Sequence, residues 1–243
     1  MLRIATTLAA LSLMSTTALA QDQGDWILRV GLGYVDPQGD SNNLVFEGIE
    51  LDGYRIEAQG NTRPVVNLTW MASDRLGVEL LASWPFKHDI DGDQALSALG
   101  KLGSTKHLPP TLSLQYHFRP NQTFRPYAGI GVNYTLFFDE DTTDSLHQGI
   151  IGTSNAALGT TYSGGETGLR IDDSYGLALQ LGADIQISKA FFLNVDLRWI
   201  DIEADARLTT RTEDAQGFES VLHSRIKADI DPLVFSTTFG MRF

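Results

Sequence analysis

From Trp26 to Phe243 the chain repeatedly alternates apolar residues with polar or small ones. A period of two places alternate side chains on opposite faces of a β-strand. The first such segment sets Trp26, Leu28, Val30, Leu32 and Tyr34 against Arg29, Gly31 and Gly33, with Ile27 as an exception. The second sets Val66, Leu68 and Trp70 against Asn67 and Thr69. In the third, Leu76, Val78, Leu80, Ala82, Trp84 and Phe86 oppose Gly77, Glu79 and Ser83. Segments beginning at Thr111, Tyr127, Ser174 and Phe191 repeat the pattern, and the closing one pairs Leu233, Phe235, Phe239, Met241 and Phe243 on one face. The count is eight strands.

Alternation alone also suits a half-buried sheet in a soluble sandwich. Two further features separate the readings. Connections over residues 72–75, 119–123 and 188–190 are tight, whereas those over 37–60, 87–108, 139–172 and 205–228 are long, and the two kinds strictly alternate. Outer-membrane barrels have this asymmetry, with short periplasmic turns and long outer loops. With strands running alternately up and down, Trp26, Trp70, Phe118, Phe191 and Phe243 fall at one end of the apolar face. Tyr34, Trp84, Phe138, Tyr175, Trp199 and Phe235 fall at the other. Two aromatic rings are expected where a barrel crosses both interfaces of a bilayer. The expected fold is therefore all-β: an eight-stranded antiparallel transmembrane β-barrel with long extracellular loops and short periplasmic turns.

The start of the chain fits this reading. Residues 1–20 carry one cation, Arg3, then an apolar stretch ending in Ala18-Leu19-Ala20, the small-x-small pattern of a signal-peptidase site. The expected organisation is a cleaved signal peptide over 1–20 and a barrel over 21–243. No later run is long and apolar enough for a transmembrane helix. The formal charge of -12 disfavours nucleic acid as a partner, and the absence of cysteine excludes disulfides and thiolate chemistry.

The inward face carries Arg29, Glu79, His117, Asp184, Asp196, Arg198 and Arg242. Charges of both signs inside a narrow barrel read as a neutralising network, because buried charges must be paired or solvated. The many inward glycines leave an ion or solute path open as the sharper alternative. The outer loops are unusually apolar. Phe46 and Ile49 lie in loop one, Leu96 and Leu99 on one face of a short predicted helix in loop two, and Ile150 and Leu158 in loop three. These six are candidates for an apolar, ligand-binding mouth; the plainer reading is a packed cap. Carboxylates cluster at Asp89–Asp93 and Asp139–Asp144, but neither cluster has the full loop of a calcium site, so no metal or cofactor is expected. No histidine is spaced with a nucleophile and an acid, so no catalytic group is assigned and the protein is not expected to be an enzyme.

The stretches "LGVELLASWPFKHDI" (76–90), "LPPTLSLQYHF" (108–118), "RPYAGIGVNYTLFF" (125–138), "FFLNVDLRWIDIEADA" (191–206) and the terminal "GMRF" together resemble the OmpW family over essentially the whole mature chain. The resemblance implies an eight-stranded barrel in the outer membrane of a Gram-negative bacterium. It implies passive uptake of small hydrophobic molecules, including alkanes in the AlkL-like branch, with a lateral opening from the barrel wall into the bilayer. Implied partners are membrane lipids and lipopolysaccharide, small hydrophobic solutes and, through Phe243, the outer-membrane assembly machinery. A structural, adhesive or receptor barrel with a plugged lumen is the alternative; a lipid enzyme on the same scaffold ranks third.

Overall fold

The computed structural model describes residues 22–120 and 122–243, so the signal peptide expected over residues 1–20 lies outside the described residues. Among the described residues the chain forms sixteen strands and one α-helix. In chain order the strands of the first half are β1 (Trp26–Asp36), β2 (Leu44–Phe46), β3 (Ile49–Leu51), β4 (Tyr54–Ala58), β5 (Asn61–Met71), β6 (Leu76–Ser83), β7 (Phe86–Gln94), β8 (Lys101–Leu108) and β9 (Thr111–His117). Those of the second half are β10 (Phe124–Thr142), β11 (Ser163–Ile171), β12 (Ser174–Gln186), β13 (Phe191–Ile200), β14 (Glu203–Glu213), β15 (Glu219–Asp229) and β16 (Leu233–Arg242), with helix α1 (Asp144–Leu158) between β10 and β11.

Eight of these strands close a barrel in the order β12-β13-β16-β1-β5-β6-β9-β10, with β10 pairing back onto β12. First and last strands meet through pairs such as Val30↔Phe239 and Tyr34↔Phe235, so the sheet has no open edge. Closure satisfies every ladder group within the sheet, which a hydrocarbon environment requires. The alternation sets the faces as expected. Leu32, Leu80, Ile130, Leu181 and Phe239 point outward and are exposed, while Arg29, Glu79, Asn133, Gln180 and Asp196 point inward and are buried. The aromatics at both rims, including Trp26, Trp70, Trp84 and Tyr175, are exposed on the outer face.

Phe86 is an exception: it is buried, not lipid-facing. β6 stops at Ser83 and β7 starts at Phe86, and the intervening Trp84-Pro85 breaks the alternation. Proline has no N–H to continue the ladder, so the parity counted from Leu76 does not carry across it.

The long connections are not loops. They are further strands that build a cap on the barrel. β10 runs uninterrupted from barrel into cap, and there β8, β7 and β4 join its edge in turn. A second sheet, in the order β11-β14-β15-β2-β3, forms the opposing wall. The helix expected in loop two is reduced to a single 3-10 turn over Ser97–Leu99. The true helix, α1, lies in loop three. Thr143 caps it by accepting a bond from the Leu146 N–H at 3.3 Å, and Gly159 ends it at φ 65°. Its buried residues, His147, Ile150, Ile151 and Ser154, follow the i, i+3, i+4, i+7 spacing of one helical face.

Candidate functional site

Inside the barrel the polar side chains form one packed network. Arg29 makes a two-pronged contact with Asp184, Nε to Oδ1 at 3.1 Å and Nη2 to Oδ2 at 2.9 Å. Its Nη1 also donates to Thr69 at 2.8 Å and to Glu79 at 3.2 Å. Glu79 accepts from Arg198 Nη2 at 2.7 Å and from Gln180 Nε2 at 3.0 Å. Asp196 accepts from Gln180 at 2.7 Å and from the Tyr127 hydroxyl at 2.8 Å, and Asn194 links Tyr127 to Asp184. His117 reaches the network through Gln115, at 3.3 Å. The side chains of Arg29 and Glu79 have 0% exposure. Charged hydrogen bonds of this kind satisfy groups that would be very costly to bury alone.

Six of the seven expected lumen residues therefore meet. Arg242 does not. It sits at the foot of β16 opposite Ile27, and its Nε lies 3.4 Å from Asp25 at the periplasmic rim. Arg125, Tyr127, Thr69, Gln115, Gln180 and Asn194 belong to the buried interior although they were not singled out as site residues. Their inward parity was the available signal. Arg125 and Tyr127 precede the glycine run of β10, where alternation is hard to see.

Two of the inward glycines make room for aromatic rings rather than for a solute. A Cβ on Gly182 would lie 2.4 Å from the Tyr127 ring, and one on Gly240 would lie 2.1 Å from Phe192. The space is already filled by aromatic rings. Two apolar layers bracket the charged zone. Ile27, Met71 and Phe192 form a floor on the periplasmic side. Val35, Val65, Leu81, Ala178, Ile200 and Val234 form a ceiling where barrel meets cap.

Above that ceiling the interior changes character. An apolar chamber with a cavity volume of about 60 Å³, open at its mouth, is walled by Leu44, Phe46 and Leu51 on one side and Leu96, Leu99 and Leu102 on another. Leu146 and Ile150 of α1 and Leu208 of β14 complete it. Leu99 reaches in because Gly149 presents no side chain; a Cβ there would lie 2.7 Å from Leu99 Cδ1. A second, deeper chamber, also with a cavity volume of about 60 Å³, shares Ile56, Ile90, Ala206 and Ile226 with the first. Its lower wall includes His88, His107 and Phe137.

Of the six residues expected at an apolar mouth, Phe46, Leu96, Leu99 and Ile150 line the upper chamber. Ile49 and Leu158 do not line it, and their placement is corrected. Ile49 lies on the edge strand β3 at 58% exposure, and Leu158 lies at the last turn of α1, off its buried face, at 52%. The acidic clusters meet lysines in part: Asp89 pairs with Lys101 at 2.7 Å and Asp139 with Lys106 at 2.8 Å.

An exported, closed eight-stranded barrel with a lipid-facing apolar band and two aromatic girdles is an integral outer-membrane protein. The profile of the OmpW family matches residues 22–243, and the chain belongs to that family. It is 35% identical over 238 residues to outer membrane protein W of Vibrio cholerae, spanning 97% of this chain and 95% of that one. It is 24% identical over 215 residues to outer membrane protein AlkL of Ectopseudomonas oleovorans, spanning 88% and 80%. The crystal structure of OprG from Pseudomonas aeruginosa superposes with a TM-score of 0.77 at 33% identity, covering 93% of this chain and 99% of that one. The protein therefore resides in the outer membrane of a Gram-negative bacterium.

Proposed function

We propose that the protein is a non-enzymatic conduit that admits small hydrophobic molecules passively through the outer membrane. The observation that carries this is the stacking of two interiors: apolar chambers in the cap sit directly on a charge-packed barrel. An apolar solute gains roughly 25 cal/mol for each Å² of its surface removed from water in such a chamber. It gains nothing among guanidiniums and carboxylates, so it leaves sideways. The similarity to AlkL and the implied role of the family support the same reading.

The side exit falls at the Pro85 break. The ladder between β5 and β6 stops at Val65↔Ser83, and the β4–β7 ladder takes over only at Ala58↔Ile90. Between them the wall is held by separate contacts: Gln59 N–H to the Asp89 carbonyl at 3.0 Å, Trp84 N–H to the Pro64 carbonyl at 3.0 Å and Arg63 Nε to the Pro85 carbonyl at 3.1 Å. The packed lumen also favours a second reading, a structural or adhesive barrel whose cap merely meets a partner. Lipopolysaccharide, membrane lipids and the assembly machinery acting on Phe243 remain proposed partners under either reading.

Uptake of radiolabelled n-octane into vesicles with a lipopolysaccharide outer leaflet separates the two, because bare phospholipid already passes such solutes. The conduit accelerates uptake, and Pro85→Val slows it by restoring a ladder donor at the seam. No acceleration by the wild type leaves the structural reading. Acceleration that survives Pro85→Val moves the exit elsewhere.

A further inference from the structure

The deeper chamber is not wholly apolar. His88 and His107 enter it from adjacent strands, β7 and β8, with ring centroids 4.7 Å apart. Both are buried, at 4% and 2% exposure, and the edges of Phe86 and Phe137 pack against His107. The Nε2 atoms of both rings have no hydrogen-bond partner among the described residues. A buried polar atom left in this state costs about 1–3 kcal/mol unless something occupies it.

The protonation of His88 follows from its other contact. Nδ1 faces the Gln59 carbonyl oxygen, which can only accept, so the proton sits on Nδ1 and Nε2 is a bare acceptor. Burial disfavours the charged form of both rings, so the pair is neutral near pH 7. The flanking charges, Arg63 and Asp89, are of opposite sign. A metal ion is poorly suited here, since two neutral imidazoles in apolar walls leave its charge unbalanced. A neutral donor on an apolar body is well suited.

We infer that the His88–His107 pair is a polar station for the hydroxyl of an otherwise apolar solute. The site would thus select alkanols and phenols over plain hydrocarbons. The inference rests on the conduit reading and deepens it, because His88 borders the Pro85 seam through Gln59, whose N–H bonds to the Asp89 carbonyl at 3.0 Å. The hydroxyl donates to His88 Nε2, while His107 Nε2 supplies the second contact. The alkyl or aryl body lies along the walls shared with the upper chamber, Ile56, Ile90, Ala206 and Ile226.

The test uses full-length protein in lipid nanodiscs with ¹⁵N-labelled histidine. The Nε2 resonance of His88 is followed while 1-octanol or n-octane is added at matched membrane concentrations. Displacement of an apolar fluorophore from the cap reports occupancy by either solute. The expected result is that both displace the fluorophore, 1-octanol about fivefold more strongly, the worth of one net hydrogen bond. Only the alcohol shifts the His88 Nε2 signal. In His88→Phe, and separately in His107→Phe, the preference for octanol over octane falls to one. The wild-type resonance carries the test even where a variant fails to assemble. If octane binds and octanol neither shifts the resonance nor competes better, the hydroxyl station is wrong and the conduit stands. If neither solute displaces the fluorophore, the conduit reading fails and takes the station with it. If Zn²⁺ at stoichiometric concentration shifts both histidines and octanol does not, the pair is a metal site and the inference is overturned.

Discussion

Glu79 and Ile90 are eleven positions apart and face the same interior, Glu79 from β6 and Ile90 from β7. Glu79 is locked between two arginines, a glutamine and a threonine. Ile90 borders both apolar chambers. The difference shows how one fold holds a rigid lower half and an accommodating upper half. In the barrel, specific hydrogen bonds and close contacts at Gly182 and Gly240 tie each side chain to named neighbours. In the cap, non-directional apolar contact specifies volume but not one partner, which suits the proposed conduit.

Breaking the lower half should have the largest effect. Glu79→Ala leaves Arg29 and Arg198 buried with one carboxylate fewer, and removing one member of such a pair costs about 3–5 kcal/mol. The expected outcome is a large fall in the urea midpoint of the folded barrel, followed by gel mobility of unheated samples. Binding of an apolar fluorophore to the cap should persist up to that lowered midpoint. Loss of binding well below it would mean that the two halves are not separable.

The converse substitution is Ile150→Glu in the wall of the upper chamber. A carboxylate there faces leucines and has no cation at hand, so it opens the cap locally rather than remain buried and charged. Fluorophore binding should fall by more than about tenfold, the equivalent of 1.4 kcal/mol. The barrel midpoint should move by no more than about 0.5 kcal/mol. Equal damage to both would show that the cap is part of the barrel's cooperative unit.

The lower half was the more legible of the two. Alternation in β1, β12 and β13, with inward Ile27 and Phe192 as exceptions, assigns faces because one face meets lipid and the other does not. Inward Arg29, Glu79 and Asp196 were readable as a network for the same reason, though pairing partners were not. The cap was less legible because its strands have mixed patterns. β8 is buried at four successive positions, Leu102 to Thr105, and β7 carries Asp89, Asp91 and Asp93 at alternate positions, which reads as a solvated loop. Helix α1 was obscured by Gly149 and Gly152, poor helix formers that pattern alone assigns to a loop. Thr143, Asp144 and Gly159 were the capping signals that mark its ends.

A smaller effect probes how tightly the barrel is filled. In Gly240→Ala the new methyl would lie 2.1 Å from two ring carbons of Phe192. Overpacking of this sort costs about 1–3 kcal/mol. The double variant Gly240→Ala, Phe192→Leu should recover part of that loss, and the coupling in a double-mutant cycle measures the contact directly. Additive effects would mean that the ring swings aside and the floor is looser than its packing indicates. The corresponding change in the cap, Gly152→Ala, meets nothing within 4 Å and should be neutral or slightly stabilising.

The smallest effect, at moderate pH, probes the cap without mutation. Burial holds both cap imidazoles below the ordinary histidine value of 6.5, His107 down to about 3, with repulsion from His88 adding to it. The folded cap therefore refuses protons that the opened cap accepts. Stability from this source is complete above pH 6.5 and is lost as pH falls from 6.5 toward 3, by about 1 kcal/mol per pH unit for His107. Asp205 responds with the same sign in a lower window. Its hydrogen bond from Arg225 holds it below the usual 3.8, and it loses its contribution only as that carboxyl protonates. Between pH 6.5 and 5 the imidazoles thus account for the response of these three cap groups. Amide protection factors in β7 and β8 should drop about tenfold between pH 6.5 and pH 5.5. His107→Leu should flatten most of that dependence. If protection in β7 and β8 stays constant through pH 5, the imidazoles already carry a compensating partner, and their isolation in the deeper chamber is the premise to abandon.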